Sequence, residues 1–502
     1  MDVLALLWDG IVAASAPSVF ACTILGAVVG LLIGALPGLG PTAGVAIMLP
    51  VAAGFGGVAA IACLGGVYYG SMFGGAITSI LLGIPGDAPS VMTVLDGYPL
   101  AQKGEAGRAL GTSVFASFVG GVLGIAGLVA LSIPVSKFAL AFGPTEMTAM
   151  MCLALSLLSV LGGRNAIKGF VALAIGFSLG MVGLDPIAGS ARYTFGTMDL
   201  FDGLDFSIIA VGLFGLCAIF TSLEVKVDKP LARYSFASLL PRASDAFKTR
   251  WQLLQGSVLG FFVGVLPGVG ATAATMLSYA LAKRLSHTPE AYGTGIVEGV
   301  AAPEAANNSA SYGSMIPLFT LGIPGSATTA VMMGGLLMIG LQPGPLLFVE
   351  NPEFVWSVFG SFAIGNLALV FLTLLLTPLL ASALFISTAI LYPIVIAIVV
   401  FGVFAIDYSM FSVLLAVIAG AVGLVLLKLD YPAVPLVLGL VLGPLLERNI
   451  RRTLIQSQGD LLVFIERPIA LTLFIATILV LLIPIFLKLA GRKKIAADEA
   501  EI

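Results

Sequence analysis

The sequence predicts an all-α polytopic membrane protein made of two inverted repeats with broken helices or re-entrant hairpins. Three observations carry that prediction. First, 59% of the 502 residues are hydrophobic and only 10% are Asp, Glu, Lys or Arg, against about 45–50% and about 25% in soluble domains. So few charges cannot supply a soluble fold of this size with a polar skin, and the mean hydropathy of +1.11 agrees. Second, apolar runs of spanning length recur along the chain, interrupted by 61 Gly and 27 Pro. Third, the interruptions come in pairs, one in each half.

A membrane helix needs about 20 apolar residues, fewer where it is broken inside protein. Runs of this kind lie near 17–36, 109–131, 144–162, 167–184, 206–223, 253–267, 354–378, 389–405, 410–427, 432–446 and 468–487. A long region broken by Gly-Pro clusters, 37–95, follows the first, and another, 268–340, follows the sixth. Both read as half-helices or re-entrant hairpins. The N-terminal MDVLALLWDGIVAASAP has two Asp and no positive region, so its apolar run reads as retained rather than as a secretory signal. The widest hydrophilic stretch, 224–252, carries Lys226, Lys229, Arg233, Arg242, Lys248 and Arg250. The expected organisation is a first repeat over 1–223, with its core segment at 26–110, and a cytoplasmic connector over 224–252. A second repeat plus final helix covers 253–490, with its core segment at 256–345, and 491–502 forms a cytoplasmic tail.

The halves resemble each other. GALPGLGPT at 34–42 recurs as GVLPGVGAT at 264–272, and LGIPG at 82–86 recurs at 321–325. More weakly, Leu184-Asp185-Pro186 parallels Leu429-Asp430-Tyr431-Pro432. Matches in the same order, at slowly growing offsets, indicate duplication.

Lys and Arg in short loops mark the cytoplasmic side. Residues 1–102 hold no Lys or Arg, whereas the segment before the second repeat has Arg242, Lys248 and Arg250. The tip at 53–60 is uncharged, but its counterpart has Lys283 and Arg284. Loop 96–108 has Lys103 and Arg108, and its counterpart 341–353 has only Glu350 and Glu353. Matching loops therefore prefer opposite sides, as inversion requires, with the N-terminus outside and the tail inside. Segment 447–467 disagrees: it should lie outside, yet carries Arg448, Arg451, Arg452 and Arg467.

Helix breakers at membrane depth free backbone N–H and C=O groups that lipid cannot satisfy, so they must face protein or a watery cavity. Four such breaks occur in symmetric pairs: Leu36-Pro37-Gly38, Ile84-Pro85-Gly86, Leu266-Pro267-Gly268 and Ile323-Pro324-Gly325. A single break of this kind reads as a simple kink; four in matched pairs read as a site. Half-helix N-termini attract anionic groups and freed carbonyls coordinate Na⁺. Polar side chains cluster at the breaks: Thr42, Ser71, Thr78, Ser79, Asp87 and Ser90 in the first half, and Thr272, Thr275, Ser278, Ser326, Thr328 and Thr329 in the second. Such hydroxyls commonly bond their own backbone instead. Asp87 reads either as a proton or Na⁺ site or as a helix cap at a loop mouth. The run 298–314, EGVAAPEAANNSASYGS, is the most polar in either broken region. Its Glu298, Glu304, Asn307 and Asn308 need a cavity or an exposed loop.

Much chemistry is excluded. Cys22, Cys63, Cys152 and Cys217 lie far apart in apolar stretches, and the lone His287 sits in a polar loop. No metal-ligand spacing, disulfide framework or Ser-His-Asp triad is available. The net charge of −3 gives no basis for a nucleic-acid partner.

GALPGLGPTAGVAIMLP, LLGIPGDAPSV and especially EGVAAPEAANNSASYGSMIPLFTLGIPGSATTAVMMGGLLMIGLQPGP resemble the large membrane subunit of tripartite tricarboxylate transporters, the TctA type. The resemblance covers nearly the whole chain. It implies a bacterial inner-membrane carrier, not an enzyme, that works with a small four-helix membrane subunit and a periplasmic solute-binding protein. It implies uptake of citrate or another di- or tricarboxylate, or a similar organic acid, with Na⁺ or H⁺ as coupling ion and no cofactor. The plan is similar to elevator-type carriers. On this reading the anion lies between Pro37, Gly38, Gly40, Thr42 and Ser71 on one side and Asn307, Asn308, Gly325, Ser326 and Thr328 on the other. The ion sits beside Gly38, Gly86, Gly268 and Gly325, with Asp87. Two rivals remain: an anion channel, and an intramembrane aspartyl hydrolase pairing Asp87 with Asp185, Asp407 or Asp430, which needs two facing aspartates.

Overall fold

Glycine or proline stands at one end of many of the helices. The computed structural model describes residues 3–161, 165–185, 189–222, 236–383 and 388–482. The expected tail 491–502, the stretch 224–235 of the expected connector and the end of the last apolar run lie outside the described residues. The chain forms two compact units, one of residues 1–139 and 207–424, the other of 140–206 and 425–502.

The first unit begins with α1 (Val3–Ala14), α2 (Pro17–Gly34), α3 (Pro41–Ala53), α4 (Gly57–Leu82), α5 (Val91–Gln102) and α6 (Ala106–Ala139). The second unit interrupts here with α7 (Pro144–Leu161), α8 (Ala166–Gly180) and a two-stranded antiparallel ribbon, β1 (Gly183–Leu184) with β2 (Ala191–Arg192). The first unit resumes at α9 (Phe206–Ala210), a π-helical turn (Val211–Leu216) and α10 (Cys217–Ser222). It continues through α11 (Ala243–Lys248), α12 (Arg250–Val265), α13 (Gly270–Leu285), α14 (Val297–Gly313), α15 (Met315–Leu321) and α16 (Ala327–Met338). Then come α17 (Leu347–Glu350), α18 (Pro352–Ala383), α19 (Thr388–Asp407) and α20 (Met410–Lys428). The second unit closes the chain with α21 (Ala433–Gln456), α22 (Val463–Glu466) and α23 (Pro468–Leu482). Among the described residues, six helices are long and apolar enough to cross a membrane: α2, α4, α6, α18, α20 and α21. The protein is an all-α polytopic membrane protein apart from the small ribbon.

The first broken region differs from its expectation in one respect. Inside 37–95 lies α4, a continuous helix of 26 residues that is buried over its spanning window. Its glycines do not break it because they serve packing. Gly26, Gly30 and Gly34 of α2 face α4 so closely that a Cβ on them would lie 2.1–2.4 Å from the carbonyl oxygens of Cys63, Val67 and Ser71. Gly66, Gly70 and Gly74 of α4 approach the α2 backbone in return. Lipid tails are as apolar as Leu, so helices in a membrane associate through close van der Waals contact, which small residues four apart permit. The same seam recurs between α12 and α14. A Cβ on Gly256, Gly260 or Gly264 would lie 2.2–2.5 Å from the carbonyl oxygens of Ala302, Ala306 and Ala310. Sequence reasoning read these glycines only as helix breakers.

Ion pairs join separate segments within each unit. In the first unit, Arg108 at the start of α6 holds Asp245 of α11 through two nitrogens, at 2.8 and 2.7 Å. The guanidinium keeps the Asp245 carboxyl below the usual carboxylate range. In the second unit, Asp185 and Glu447 bind Arg192 and Arg451, and Glu146 binds Arg467. Two arginines of the discordant segment 447–467 are thus neutralised by acids of their own unit.

Replacing Gly30 or Gly260 by Val is expected to cost about 1–3 kcal/mol of stability or to abolish folded protein. Gly54→Ala, whose Cβ meets only Val51 O at 3.3 Å, should stay within about 0.5 kcal/mol; thermal unfolding in detergent compares the three. Because its folded pKa is depressed, the Asp245 contribution is complete above its unfolded pKa of about 3.9 and is lost as pH falls through the folded value. Asp245→Asn should therefore be less stable than wild type by about 1 kcal/mol at neutral pH, with the difference vanishing in acid.

Candidate functional site

The site is built from two helix breaks with the same backbone. After α2, Leu36-Pro37-Gly38 stops the helix and Gly38 takes φ +87. After α12, Leu266-Pro267-Gly268 does the same and Gly268 takes φ +86. The helices α4 and α15 each end on a left-handed glycine, Gly83 and Gly322, both at φ +69. These are conformations that L side chains rarely adopt, so the motif needs glycine there. Each pair of breaks is closed by one backbone hydrogen bond. Gly38 N–H donates to Gly86 O at 3.3 Å, and Gly268 N–H donates to Gly325 O at 3.0 Å. The LPG and IPG motifs of each half are therefore joined, and neither is an isolated kink.

Two helix N-termini meet beyond these breaks. α3 starts at Pro41 behind Gly40, and no side chain caps it. α16 starts behind Ser326, whose side chain forms a reciprocal capping box with Thr329. The second residues of the two helices, Thr42 and Thr328, share a hydrogen bond of 2.8 Å between their hydroxyls. The structure thus brings together Thr42 and Thr328, which the sequence assigned to opposite walls of the site. Pro37, Gly38 and Gly40 lie on the lead-in to α3, and Gly325 and Ser326 on the lead-in to α16. Gly325 lies against Ser314, whose Oγ is 3.3 Å from the Tyr68 hydroxyl of α4.

Other predicted residues have more structural duties. Ser71 is buried and donates to Gly30 O across the α2–α4 seam at 3.3 Å. Thr78 donates to Ala35 O at the end of α2, and Thr275 to Thr272 O of its own helix. Ser278 donates to Ala302 O. Asp87 combines both of its readings. Its Oδ1 accepts from Ser90 N–H at 2.9 Å, a turn that leads into α5, while its buried Oδ2 has no partner. It also lies beside Gly40 and Gly75.

The polar run 298–314 is neither an exposed loop nor a cavity lining of irregular chain. It is the interior of α14, buried from Gly299 through Gly313. Asn308 Nδ2 donates to Glu304 O at 3.2 Å, but Asn308 Oδ1 and both polar atoms of Asn307 have no partner. Leaving such groups unpaired costs about 1–3 kcal/mol each. Close by, Tyr69 of α4 stacks on Tyr312 of α14 with ring centroids 4.0 Å apart, and both buried hydroxyls are unpaired.

Sequence reasoning missed Asp96. Its buried carboxylate accepts from the Tyr279 hydroxyl at 2.8 Å and from the N–H groups of Gly293, Gly295 and Ile296. It lies over the N-terminus of α14, where Gly299 leaves room for it, and so fastens the first broken region to the second. A carboxylate is favourable at that end of a helix. Nothing local in VLDGYPL announces partners some 200 residues away. Among the described residues no group of His, Cys, Asp or Glu could hold a metal ion, and no ion pair involves the breaks.

Paired breaks, converging helix N-termini and unpaired buried amides occur within one helical membrane protein. Residues 20–438 match the tripartite tricarboxylate transporter TctA family, and the chain belongs to that family. It is a component of a multi-subunit transporter and not an enzyme. It is 38% identical over 487 residues to an Agrobacterium vitis protein described as "Uncharacterized 52.8 kDa protein in TAR-I ttuC' 3'region", covering 96% of this chain and 97% of the relative. A second protein of Agrobacterium vitis, "Uncharacterized protein in TAR-II ttuC' 3'region", is 42% identical over 214 residues, 43% of this chain and 88% of that one. No solved structure matches the chain.

Asp96→Ala would strand three backbone N–H groups and the Tyr279 hydroxyl. It should lower unfolding stability by more than about 3 kcal/mol, against about 1 kcal/mol for Ser71→Ala. Thermal or denaturant unfolding of the two variants side by side checks the order.

Proposed function

We propose that the chain is the large membrane subunit of a secondary active importer that takes up a di- or tricarboxylate, or a similar organic-acid anion. It would use Na⁺ or H⁺ as coupling ion, receive substrate from a periplasmic solute-binding protein and work beside a small four-helix subunit in a bacterial inner membrane. The observation that carries this reading is the meeting of α3 and α16 at Thr42 and Thr328. Two helix N-termini bring two positive dipole ends together, an arrangement that an anion stabilises and a neutral solute does not. The hydroxyls of Thr42, Ser326 and Thr328 suit carboxylate oxygens. The amides of Asn307 and Asn308, left unpaired, offer both donors and acceptors.

The two halves read as inverted repeats that move in elevator fashion. The equal glycine conformations at 38 and 268 and at 83 and 322, with the duplicated α2–α4 and α12–α14 seams, support duplication. The opposite loop preferences of Lys and Arg support inversion. Coupling ions would sit by the carbonyls of Gly38, Gly86, Gly268 and Gly325, beside Asp87.

Proteoliposomes supplied with the binding protein test the proposal. An imposed sodium or proton gradient should drive accumulation of the acid anion. Asn308→Ala and Ser326→Ala should each reduce that uptake about tenfold or more, a loss of about 1.4 kcal/mol or more. Uptake that ignores both gradients would indicate a channel, and normal uptake by both variants would refute the site.

A further inference from the structure

Glu304 occupies the middle of α14, one turn before Asn307 and Asn308, with none of its side chain exposed. Both carboxylate oxygens are bonded, and only by hydroxyls of the other broken region and its neighbour. Thr93 Oγ1 of α5 donates to Oε1, and Ser117 Oγ of α6 donates to Oε2 at 3.0 Å. Ser113 of α6 also faces it. The charged group that acts on it is the carboxylate of Asp87, ahead of α5. Among the described residues no Lys, Arg or His forms an ion pair with it; of the elements packed on α14, α5 also carries Asp96, which is held by Tyr279 of α13, and α4 carries Tyr68 and Tyr69.

We propose that Glu304 is a proton-binding site, loaded with H⁺ from water on one side of the membrane and emptied to water on the other. The inference rests on the transport reading and names the coupling ion for that same region. A buried carboxylate without a cationic partner is expensive in its ionised form. Intramembrane acids of this kind mark proton relays and ion pathways. The surroundings suit a proton better than a metal ion. A hard metal cation needs a shell of about six oxygen lone pairs, whereas Thr93 and Ser117 present O–H groups to the carboxylate. A hydroxyl can donate to the ionised form and, on rotating, accept from the protonated one. Only an O–H bond forms or breaks: water delivers the proton and water receives it. Glu304 thereby links proton occupancy to α14, the helix that carries Asn307 and Asn308.

Infrared difference spectroscopy of the full-length chain in lipid nanodiscs, between acid and alkaline pH, tests the site without any substrate. A protonated-carboxyl C=O band should titrate in wild type, vanish in Glu304→Gln and persist in Asp87→Asn. Thr93→Val and Ser117→Ala should move its midpoint, a readout that survives if Glu304→Gln fails to fold. A band that is absent in wild type, or unchanged in Glu304→Gln and in both hydroxyl variants, overturns the proposal. In the proteoliposomes described above, Glu304→Gln should lose accumulation driven by a pH gradient by about tenfold or more, and any exchange it retains should no longer vary with pH. Accumulation that follows Na⁺ alone in wild type, with no response to pH, also overturns it. If wild type moves no acid anion while the band still titrates and vanishes in Glu304→Gln, the transport reading fails and the proton site stands.

Discussion

The structure depends on how closely helix backbones approach one another. Within lipid a helix gains little by exchanging acyl chains for another apolar surface, so cohesion comes from contact distance. The glycines of α2 and α12 allow that contact by having nothing between one backbone and the next. All else follows from those seams. They fix α4 and α14 rigidly, and α4 and α14 carry Tyr68, Tyr69, Asn307, Asn308 and Tyr312. They also bring the ends of α2 and α12 alongside the chain segments to which the Gly38 and Gly268 bonds are made.

Interruptions of a helix inside a membrane are tolerable only when the freed backbone finds partners. Here each interruption supplies part of the other's need, through one hydrogen bond between glycines. The remaining polar capacity is concentrated where α3 and α16 begin. α16 is capped by its own Ser326 and Thr329, and α3 has no side-chain cap. The two ends of the candidate site are therefore unequal, although the motifs that precede them match.

Much of this was legible in the sequence because the determinants are local. Proline and glycine stop helices whatever surrounds them, so LPG and IPG gave the breaks, and the apolar runs gave most spans within a few residues. Thr42 and Thr328 were expected on opposite walls of one site, and their hydroxyl contact was not legible, because they follow unlike breaks, LPG in one half and IPG in the other. What stayed hidden depends on distant partners. The run EGVAAPEAANNSASYGS looks too polar for a membrane helix, yet it folds as α14 because hydroxyls of α5 and α6 and backbone of α12 satisfy much of it. The acceptor role of Asp96 and the seam role of Gly66, Gly70 and Gly74 are hidden for the same reason. A glycine reads identically in sequence whether it ends a helix or lets another helix touch it.

The bonds that close the breaks run from Gly38 to Gly86 and from Gly268 to Gly325, and they use main-chain atoms only. No side chain participates in them, so residues around the converging helix ends can be exchanged without disturbing the frame that holds those ends. A scaffold of this kind separates architecture from chemistry. Side chains around the helix ends can therefore change size or polarity while the breaks themselves stay unaltered.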